Sequence, residues 1–462
     1  MEETRNLVEK CHELGFDHLP EQVVDRVKYL LLDYLGVAAR GALSDSSVPV
    51  RRVVKNMGRT GEGAVVIGTN MRADPVWAAL ANGTAAHSLE LDDVVNEGSL
   101  HPGVAIMSAA LGAGHIAGCS GRDLIEGIVA GYEAAIRLGF TLDPAAHYAR
   151  GFHPTGTCGT MGSAITAAKI LKLDRRGMAN ALGIAGSQAA ASMEFLADGA
   201  FTKRLHPGWA AHSGIIAALL AGEGFTGPGS ILEGKYGFLH AYSDGSMPSR
   251  LMEEWGAPYR IMRTSIKPHS CCRYKQGPID GILDIVQGHR LKTSDIIKVR
   301  VGILRAGFPI VAEPEELKYN PKTVVDAQFS MPYGAAVAIL FGRASLNEYT
   351  REKMESREVR EMMGRISCVH DPDLEKDFPK RWPASVSIVT RSGEEFKTHI
   401  DYPKGDPENP LTWEELIRKF KDLSAPIFEE SVRIQIVDRV RGLEAERDLE
   451  RLAGLLPGRD SA

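Results

Sequence analysis

The 462-residue sequence predicts a mainly α protein, in which a large all-helical domain contains an inserted, smaller α+β lid domain. Three observations support this prediction. Apolar residues follow helical spacing up to about residue 264, alternate with polar residues in much of 265–405, and return to helical spacing afterwards. We therefore divide the chain into 1–264, the first part of the helical domain, 265–405, the lid domain, and 406–462, the C-terminal part of the helical domain.

The helical prediction begins at residues 21–40, where apolar residues recur at intervals of three and four. The segments that follow, among them 101–118 and 159–173, are rich in Ala and Gly, which lets helices approach one another closely. Several begin near Asp, Ser, Thr or Pro and end at Gly, as helices commonly do. These signals together predict a compact helical domain.

The α+β prediction depends on alternation and on β-branched residues. Strands are predicted at 296–304, 385–391 and 395–402, and helices at 330–342 and 357–366. A stretch dense in Pro, Gly and Asp, 401–410, marks the return to the helical domain. Ligand sites concentrate in clefts between domains, so we expect the functional site there.

Composition excludes several classes of function. The 54 basic and 59 acidic residues are mixed along the chain, and no basic block is present that would bind nucleic acid. No stretch reaches the roughly 18 apolar residues of a membrane span, and the first residues lack the apolar core of a secretory signal. We therefore expect a cytoplasmic protein without a membrane or nucleic-acid partner. The six cysteines form no CxxC pair, so neither a disulfide framework nor a metal site is predicted.

An acidic cluster after a nearly uncharged helix is the first candidate for chemistry. Glu90, Asp92 and Asp93 lie within a few residues of His87 and His101. Two adjacent carboxylates cannot both enter an apolar core, because desolvation would be too costly. The cluster therefore either caps the next helix in a solvated loop or enters a polar cavity.

Two further segments contain histidine and lysine near predicted helix starts. His153 lies in a Gly-rich turn before a helix of small residues, where backbone N–H groups and the helix dipole favour an anion. The alternative is a turn histidine that hydrogen-bonds to its own loop. Lys203 lies three residues before His206 in a stretch suited to carboxylate recognition, or else to an exposed basic helix start.

The predicted domain junction is the richest in cations. Lys267, His269 and Arg273 surround an adjacent cysteine pair, for which buried packing is the ordinary role. Tyr333 follows a proline and begins an apolar helix, either as a packed aromatic or with its hydroxyl in a cleft.

Five segments resemble, in order, the signature blocks of the MmgE/PrpD family. They are NGTAAHSLELDDVVNEGSLHPG, GFHPTGTCGTMGSA, TKRLHPGWAAHSG, KPHSCCRYKQGPID and FSMPYGAAVAIL. The resemblance implies a large helical domain, a smaller α+β lid, a homodimer, and an active site in the groove between domains with no metal or organic cofactor. It also implies a small polycarboxylate substrate, since the family includes 2-methylcitrate dehydratases, cis-aconitate decarboxylases and an iminodisuccinate epimerase.

The site residues of the decarboxylases map onto this chain block by block. The later members of that set fall on His101, His153, Lys203, His269 and Tyr333. In the first block, the family's Asp falls on Glu90 and its Thr on Val94. Glu90 keeps the charge, but the valine side chain cannot form a hydrogen bond.

These residues lead to a hypothesis of acid–base catalysis by a lyase. Lys203, Arg273 and the turn at His153 would hold substrate carboxylates, with Lys267 and Glu90 also in the binding set. His101 and His153 would exchange the proton, with Asp92 or Asp93 orienting an imidazole. Tyr333 or His269 would assist from the opposite face.

The order of the candidate reactions follows from the resemblance. Dehydration of a hydroxy-polycarboxylate such as 2-methylcitrate comes first, because hydro-lyase activity is the broadest expectation for the family. Epimerisation of a dicarboxylate comes second, decarboxylation third, and a non-catalytic dicarboxylate-binding homologue last.

Overall fold

A computed structural model describes residues 2–57, 63–378 and 380–458. By its internal contacts the chain divides into two units. The first consists of Met1–Ser88, Asp92–Thr264 and Thr412–Ala462, and the second of Leu89–Leu91 and Ser265–Leu411. That each unit folds as an independent domain, and that the second covers the first as a lid, stay predictions.

The described residues are mainly helical. The helices are α1 Glu3–Glu13, α2 Glu21–Gly41, α3 Ser47–Met57, α4 Pro75–Ala86, α5 Pro102–Ala117, α6 Gly121–Thr141, α7 Pro144–Ala149, α8 Pro154–Ile170, α9 Arg175–Gly186, α10 Thr202–Gly222, α11 Phe238–Ala241, α12 Gln276–Gly288, α13 Phe308–Val311, α14 Glu315–Lys318, α15 Val324–Gln328, α16 Met331–Phe341, α17 Arg351–Glu355, α18 Arg357–Met363, α19 Trp413–Ser424, α20 Glu430–Arg441 and α21 Glu450–Ala453. The strands are β1 Ala64–Val65, β2 Arg72–Ala73, β3 Ile296–Ile303, β4 Ile366–His370, β5 Ala384–Thr390 and β6 Glu395–Ile400. Among these helices, none has both the length and the apolar character that crossing a membrane requires.

Helix α8 lies at the centre of the first unit, packed against α5, α6, α9 and α10. All of its residues are buried except Lys169. Small residues make this packing possible, as they do where α4 crosses α10. A Cβ atom on Gly208 would lie 2.3 Å from the carbonyl oxygen of Leu80 and 2.5 Å from the hydroxyl of Thr84.

The C-terminal segment belongs to the first unit because α19 packs on α2. The indole N–H of Trp413 donates to Asp25 Oδ2 at 3.2 Å, and its ring meets Tyr29 edge-on at 5.4 Å. Nearly two turns further along α19, Lys419 Nζ lies 2.7 Å from Oδ1 of the buried Asp33. These contacts join helices that are nearly 400 residues apart in sequence.

The second unit is built on a four-stranded sheet in the order β4-β3-β5-β6. The pairing of β3 with β4 is parallel, and the other two pairings are antiparallel. Side chains of β5 alternate between buried and partly exposed, and α12 packs on β5 and β6. The three predicted strands are therefore confirmed, whereas β4 was missed because its five residues lie at the end of a segment with helical spacing.

The crossing of α4 and α10 predicts a position that tolerates no larger residue. We expect Gly208→Ala to lower the free energy of unfolding by about 1–3 kcal/mol, because the new methyl group has no room. The control is Gly229→Ala, whose Cβ would meet no atom within 4 Å. Denaturant unfolding checks both variants, and equal stability of the two proteins would contradict the close approach.

Candidate functional site

Two histidines of the first unit share one buried carboxylate. His87 directly follows α4, and His101 directly precedes α5, which begins at Pro102. The Nδ1 atoms of His87 and His101 lie 2.7 and 2.9 Å from Oδ2 of Asp92. His101 Nδ1 also lies 2.6 Å from the carbonyl oxygen of Asp93. Because a carboxylate and a carbonyl accept hydrogen bonds, both imidazoles carry a proton on Nδ1.

The neighbouring carboxylate, Asp93, has different partners. Its Oδ1 accepts from the backbone N–H of Gly103 at 3.0 Å, and its Oδ2 accepts from the hydroxyl of Tyr132 at 2.7 Å. A Cβ atom at position 103 would lie within 2.7 Å of both side chains, so only glycine allows this approach. Burial raises the pKa of Asp93 to about 6, although the two hydrogen bonds lower it. Asp93 therefore holds the start of α5, and with it His101, in position.

Four imidazoles of the first unit lie side by side, and we call His101, His87, His153 and His206 the histidine row. In that order, the ring centroids of neighbours are 5.1, 5.8 and 5.3 Å apart. His153 directly precedes α8, and His206 lies early in α10. Their Nδ1 atoms are 3.1 Å apart, and Phe195 meets both rings edge-on. The row thus connects the shared carboxylate with the start of α10.

Burial favours the neutral form of three members of the row. It lowers the pKa of His153 well below its ordinary value, and the nearby Lys203 cation acts in the same direction. It lowers the pKa of His206 to about 4. The pKa of His87 is also lowered by burial, although the Asp92 carboxylate opposes this shift. At neutral pH these side chains are uncharged imidazoles close to a lysine cation.

The shared carboxylate and its two histidines also have the composition of a metal site. One ligand atom each of His87, Asp92 and His101 lies within 4.8 Å of the other two. Two imidazoles and a carboxylate are ordinary ligands of Zn²⁺. A metal ion bound through Nδ1 would have to replace the proton in the hydrogen bond from His87 to Asp92 and the one in the hydrogen bond from His101 to the carbonyl oxygen of Asp93. That catalysis needs no metal stays a prediction.

Both predicted cations of the second unit are paired with acids of that unit. Lys267 Nζ lies 3.6 Å from Oε2 of Glu90, and both side chains are buried. Glu90 has a left-handed backbone conformation, with φ at 55°, which is uncommon for a residue other than glycine. Arg273 donates to both carboxylate oxygens of Asp406 at 2.6 Å. These pairs compensate charges that burial would otherwise destabilise.

Two other predicted site residues of the second unit have partners there as well. His269 Nε2 lies 2.9 Å from Oδ1 of Asp280. Tyr333 is fully buried, and its hydroxyl donates to the carbonyl oxygen of Glu348 at 2.6 Å. Of the two alternatives for Tyr333 given above, this environment is that of a packed aromatic with a satisfied hydroxyl.

The structure brings together four of the residues that the sequence singled out in the first unit, His101, Asp92, His153 and Lys203. Their catalytic roles stay predictions. From the sequence, the two other members of the row, His87 and His206, were noted only as neighbours of predicted site residues and were not predicted to be site residues themselves. A signal was present for His206, because it is followed directly by proline, as are His101 and His153.

Comparisons with known proteins agree over nearly the whole chain. The model of the MmgE/PrpD N-terminal domain matches residues 5–251, and that of the MmgE/PrpD C-terminal domain matches residues 269–443. The chain is 26% identical to a cis-aconitate decarboxylase-like protein, oryM, of Aspergillus oryzae, an alignment that covers 98% of this chain and 97% of that protein.

Other relatives are named as cis-aconitate decarboxylases, among them proteins of Aspergillus terreus and Mus musculus. That of Aspergillus terreus is 28% identical, with 97% of this chain and 95% of the relative aligned. That of Mus musculus is 28% identical, with 98% and 93% aligned. Because the two family models together span both units, the resemblance noted in the signature blocks is confirmed, and the chain belongs to the MmgE/PrpD family.

Proposed function

We propose that this protein is a lyase that acts on a small polycarboxylate by proton transfer at carbon next to a carboxylate. The main support is the histidine row. Burial favours the neutral form of His87, His153 and His206 near Lys203. Asp92 anchors the other end of the row through His87 and His101. A neutral imidazole accepts a proton near neutral pH and can donate it again once protonated, and a lysine cation attracts substrate carboxylates. The proposal includes the homodimer and the cytoplasmic location expected from the sequence.

Each group of the cluster has a proposed part in the reaction. Lys203 and the N-terminal end of α8 bind substrate carboxylates, which stabilises the negative charge that develops on the reacting carbon and its carboxylate. His153 and His101 exchange the proton with substrate through Nε2, since Nδ1 of each ring is hydrogen-bonded within the protein. Asp92 orients His101 and stabilises its protonated form, as a buried carboxylate does for a catalytic histidine.

Decarboxylation of a tricarboxylate resembling cis-aconitate is the first candidate reaction. The names of the relatives aligned over almost the full length favour it. In this reaction the bond to one carboxylate breaks, carbon dioxide leaves, and the electron pair remains on carbon. A histidine of the row that carries a proton on Nε2 then supplies it to that carbon and regains a proton from water.

Dehydration of a hydroxy-polycarboxylate, such as 2-methylcitrate, is the second candidate. It is the broadest expectation for the family, and the departures from the decarboxylase pattern at Glu90 and Val94 count against decarboxylation, since the valine removes a hydrogen-bonding side chain. One imidazole takes the proton next to the carboxylate, and a second group protonates the hydroxyl as it leaves. The hydrogen bond that is lost at Val94 also keeps epimerisation of a dicarboxylate among the outcomes to be tested.

Proton NMR in deuterated water distinguishes these reactions. Chelator-treated protein is given cis-aconitate, 2-methylcitrate, citrate and iminodisuccinate separately, and its oligomeric state is measured by light scattering. We expect one substrate to lose carbon dioxide or water, and turnover to disappear in His153→Ala but not in His240→Ala, which removes an exposed histidine. Deuterium exchange without net product would indicate epimerisation. A folded protein that binds these acids without exchange or product would instead be a non-catalytic homologue.

The two adjacent aspartates allow a matched comparison. We expect Asp92→Asn to lower kcat by about 10²- to 10⁴-fold, because the amide cannot stabilise a protonated imidazole as a carboxylate does. We expect a much smaller loss for Asp93→Asn at pH near 6, since burial already keeps much of that carboxyl protonated. Steady-state kinetics of both variants check this, and equal losses of kcat would contradict the different roles of the two carboxylates.

The pH dependence of kcat/KM tests the neutral state of His153. Its pKa is held well below the ordinary value of 6.5, so the ring in the free enzyme stays unprotonated as the pH falls through that value. We expect kcat/KM to be independent of pH down to below about 6.5 and to decrease only in more acidic buffer. A loss of activity centred at 6.5 or above would show that the ring is not held neutral by burial.

A further inference from the structure

The contact between His153 and His206 restricts where the protons of both rings lie. Their Nδ1 atoms are 3.1 Å apart. A neutral imidazole has one protonated and one unprotonated nitrogen, so this contact is a hydrogen bond only when one Nδ1 carries a proton and the other does not. Two neutral rings in this contact must therefore have opposite tautomers.

The surroundings of the pair oppose double protonation. His153 is 3% exposed, whereas His206 is only partly buried. The charged or titratable groups that act on these rings are His87, His101 and Lys203, all of which disfavour an added positive charge. Protonating both rings would also bring two N–H groups face to face. The pair thus shares a single Nδ1 proton.

We propose that His206 sets the tautomer of His153 and exchanges the shared Nδ1 proton with it, so that His153 alternates between acceptor and donor at Nε2. This makes His206 a positioning residue for the acid–base chemistry proposed above, on which the inference rests. The pair stays neutral in both resting arrangements, which suits a site where burial makes charge costly.

Every proton in the proposed exchange is accounted for, and water is the only reactant needed besides the substrate. In the first arrangement, Nδ1–H of His153 donates to Nδ1 of His206, and Nε2 of His153 takes the proton from substrate. The Nδ1–H bond of His153 then breaks as a new N–H bond forms at Nδ1 of His206. His206 releases its Nε2 proton to water, which its partial exposure allows. His153 is now a donor at Nε2, and the reverse sequence returns it to an acceptor.

Nitrogen-15 NMR of histidine-labelled protein measures the tautomer of each ring without any substrate. The two rings are identified by the signals that disappear in His153→Gln and His206→Phe. We expect, at pH 7, one ring protonated at Nδ1 and the other at Nε2, and an altered tautomer of His153 in His206→Phe. Identical tautomers, an imidazolium at either position, or an unchanged His153 in the variant would overturn the inference.

Turnover tests the same inference through proton exchange. His206→Phe keeps an aromatic ring beside Phe195 but cannot exchange a proton, and we expect kcat to fall by about 100-fold with KM little changed. In His206→Ala, added imidazole should restore activity, whereas thiazole, a ring of similar size that carries no N–H, should not. Wild-type kcat in His206→Phe, or equal rescue by both compounds, would refute a role in proton exchange.

The two measurements separate this inference from the proposed function. If the wild-type protein turns over none of the substrates, the proposed lyase function fails, yet the NMR experiment still decides whether His206 sets the tautomer of His153. If the protein is active and the two rings share one tautomer, the lyase function stands and the inference about His206 fails.

Discussion

The buried carboxylate of Asp92 is the interaction on which the geometry of the candidate site depends. It is 2% exposed, and burying a carboxylate is costly unless hydrogen-bond donors replace the lost water. One donor is the Nδ1–H group of His87 at the end of α4, and Nδ1 of His101 at the start of α5 lies 2.9 Å from the same carboxylate oxygen. The need to stabilise the Asp92 carboxylate therefore brings the end of α4 and the start of α5 together. Because Nδ1 of each ring carries the proton, Nε2 remains as the acceptor.

Small residues let the helix ends converge around this carboxylate. Gly103 allows Asp93 to reach the first turn of α5, and the hydroxyl of Thr155 in α8 accepts from the backbone N–H of His101 at 3.1 Å. His153 precedes the same helix α8, so the two candidate proton-transfer residues are held by adjoining turns. The same dense packing removes water, which explains why the imidazoles are held neutral beside a lysine.

The buried cations of the second unit are stabilised in a different way, because each one is paired with a carboxylate. Lys267 and Arg273 lie within 4 Å of the carboxylates of Glu90 and Asp406, respectively. A substrate carboxylate that binds either cation would compete with an acid already in place. In the first unit, by contrast, burial favours the uncharged form of His87, His153 and His206. Removing one partner of such a buried pair leaves an uncompensated charge, so substitutions there act on stability as well as on binding.

The sequence by itself determined the secondary structure of long periodic segments, the family, and most members of the candidate site. Helical spacing predicted α2, alternation predicted β3, β5 and β6, and clustered polar residues in otherwise apolar segments pointed to Asp92, His101 and His153. The sequence could not separate the roles of Asp92 and Asp93. They are adjacent residues of the same type, and nothing in the sequence shows that their side chains have different partners.

Only the tertiary structure decided that Asp92 bridges two imidazoles while Asp93 caps a helix. It also placed His206, 53 residues away in sequence, in contact with His153. The physical reason is that hydrogen bonds and burial act between groups close in space, and the packing of α4, α5, α8 and α10, not their sequence spacing, sets those distances.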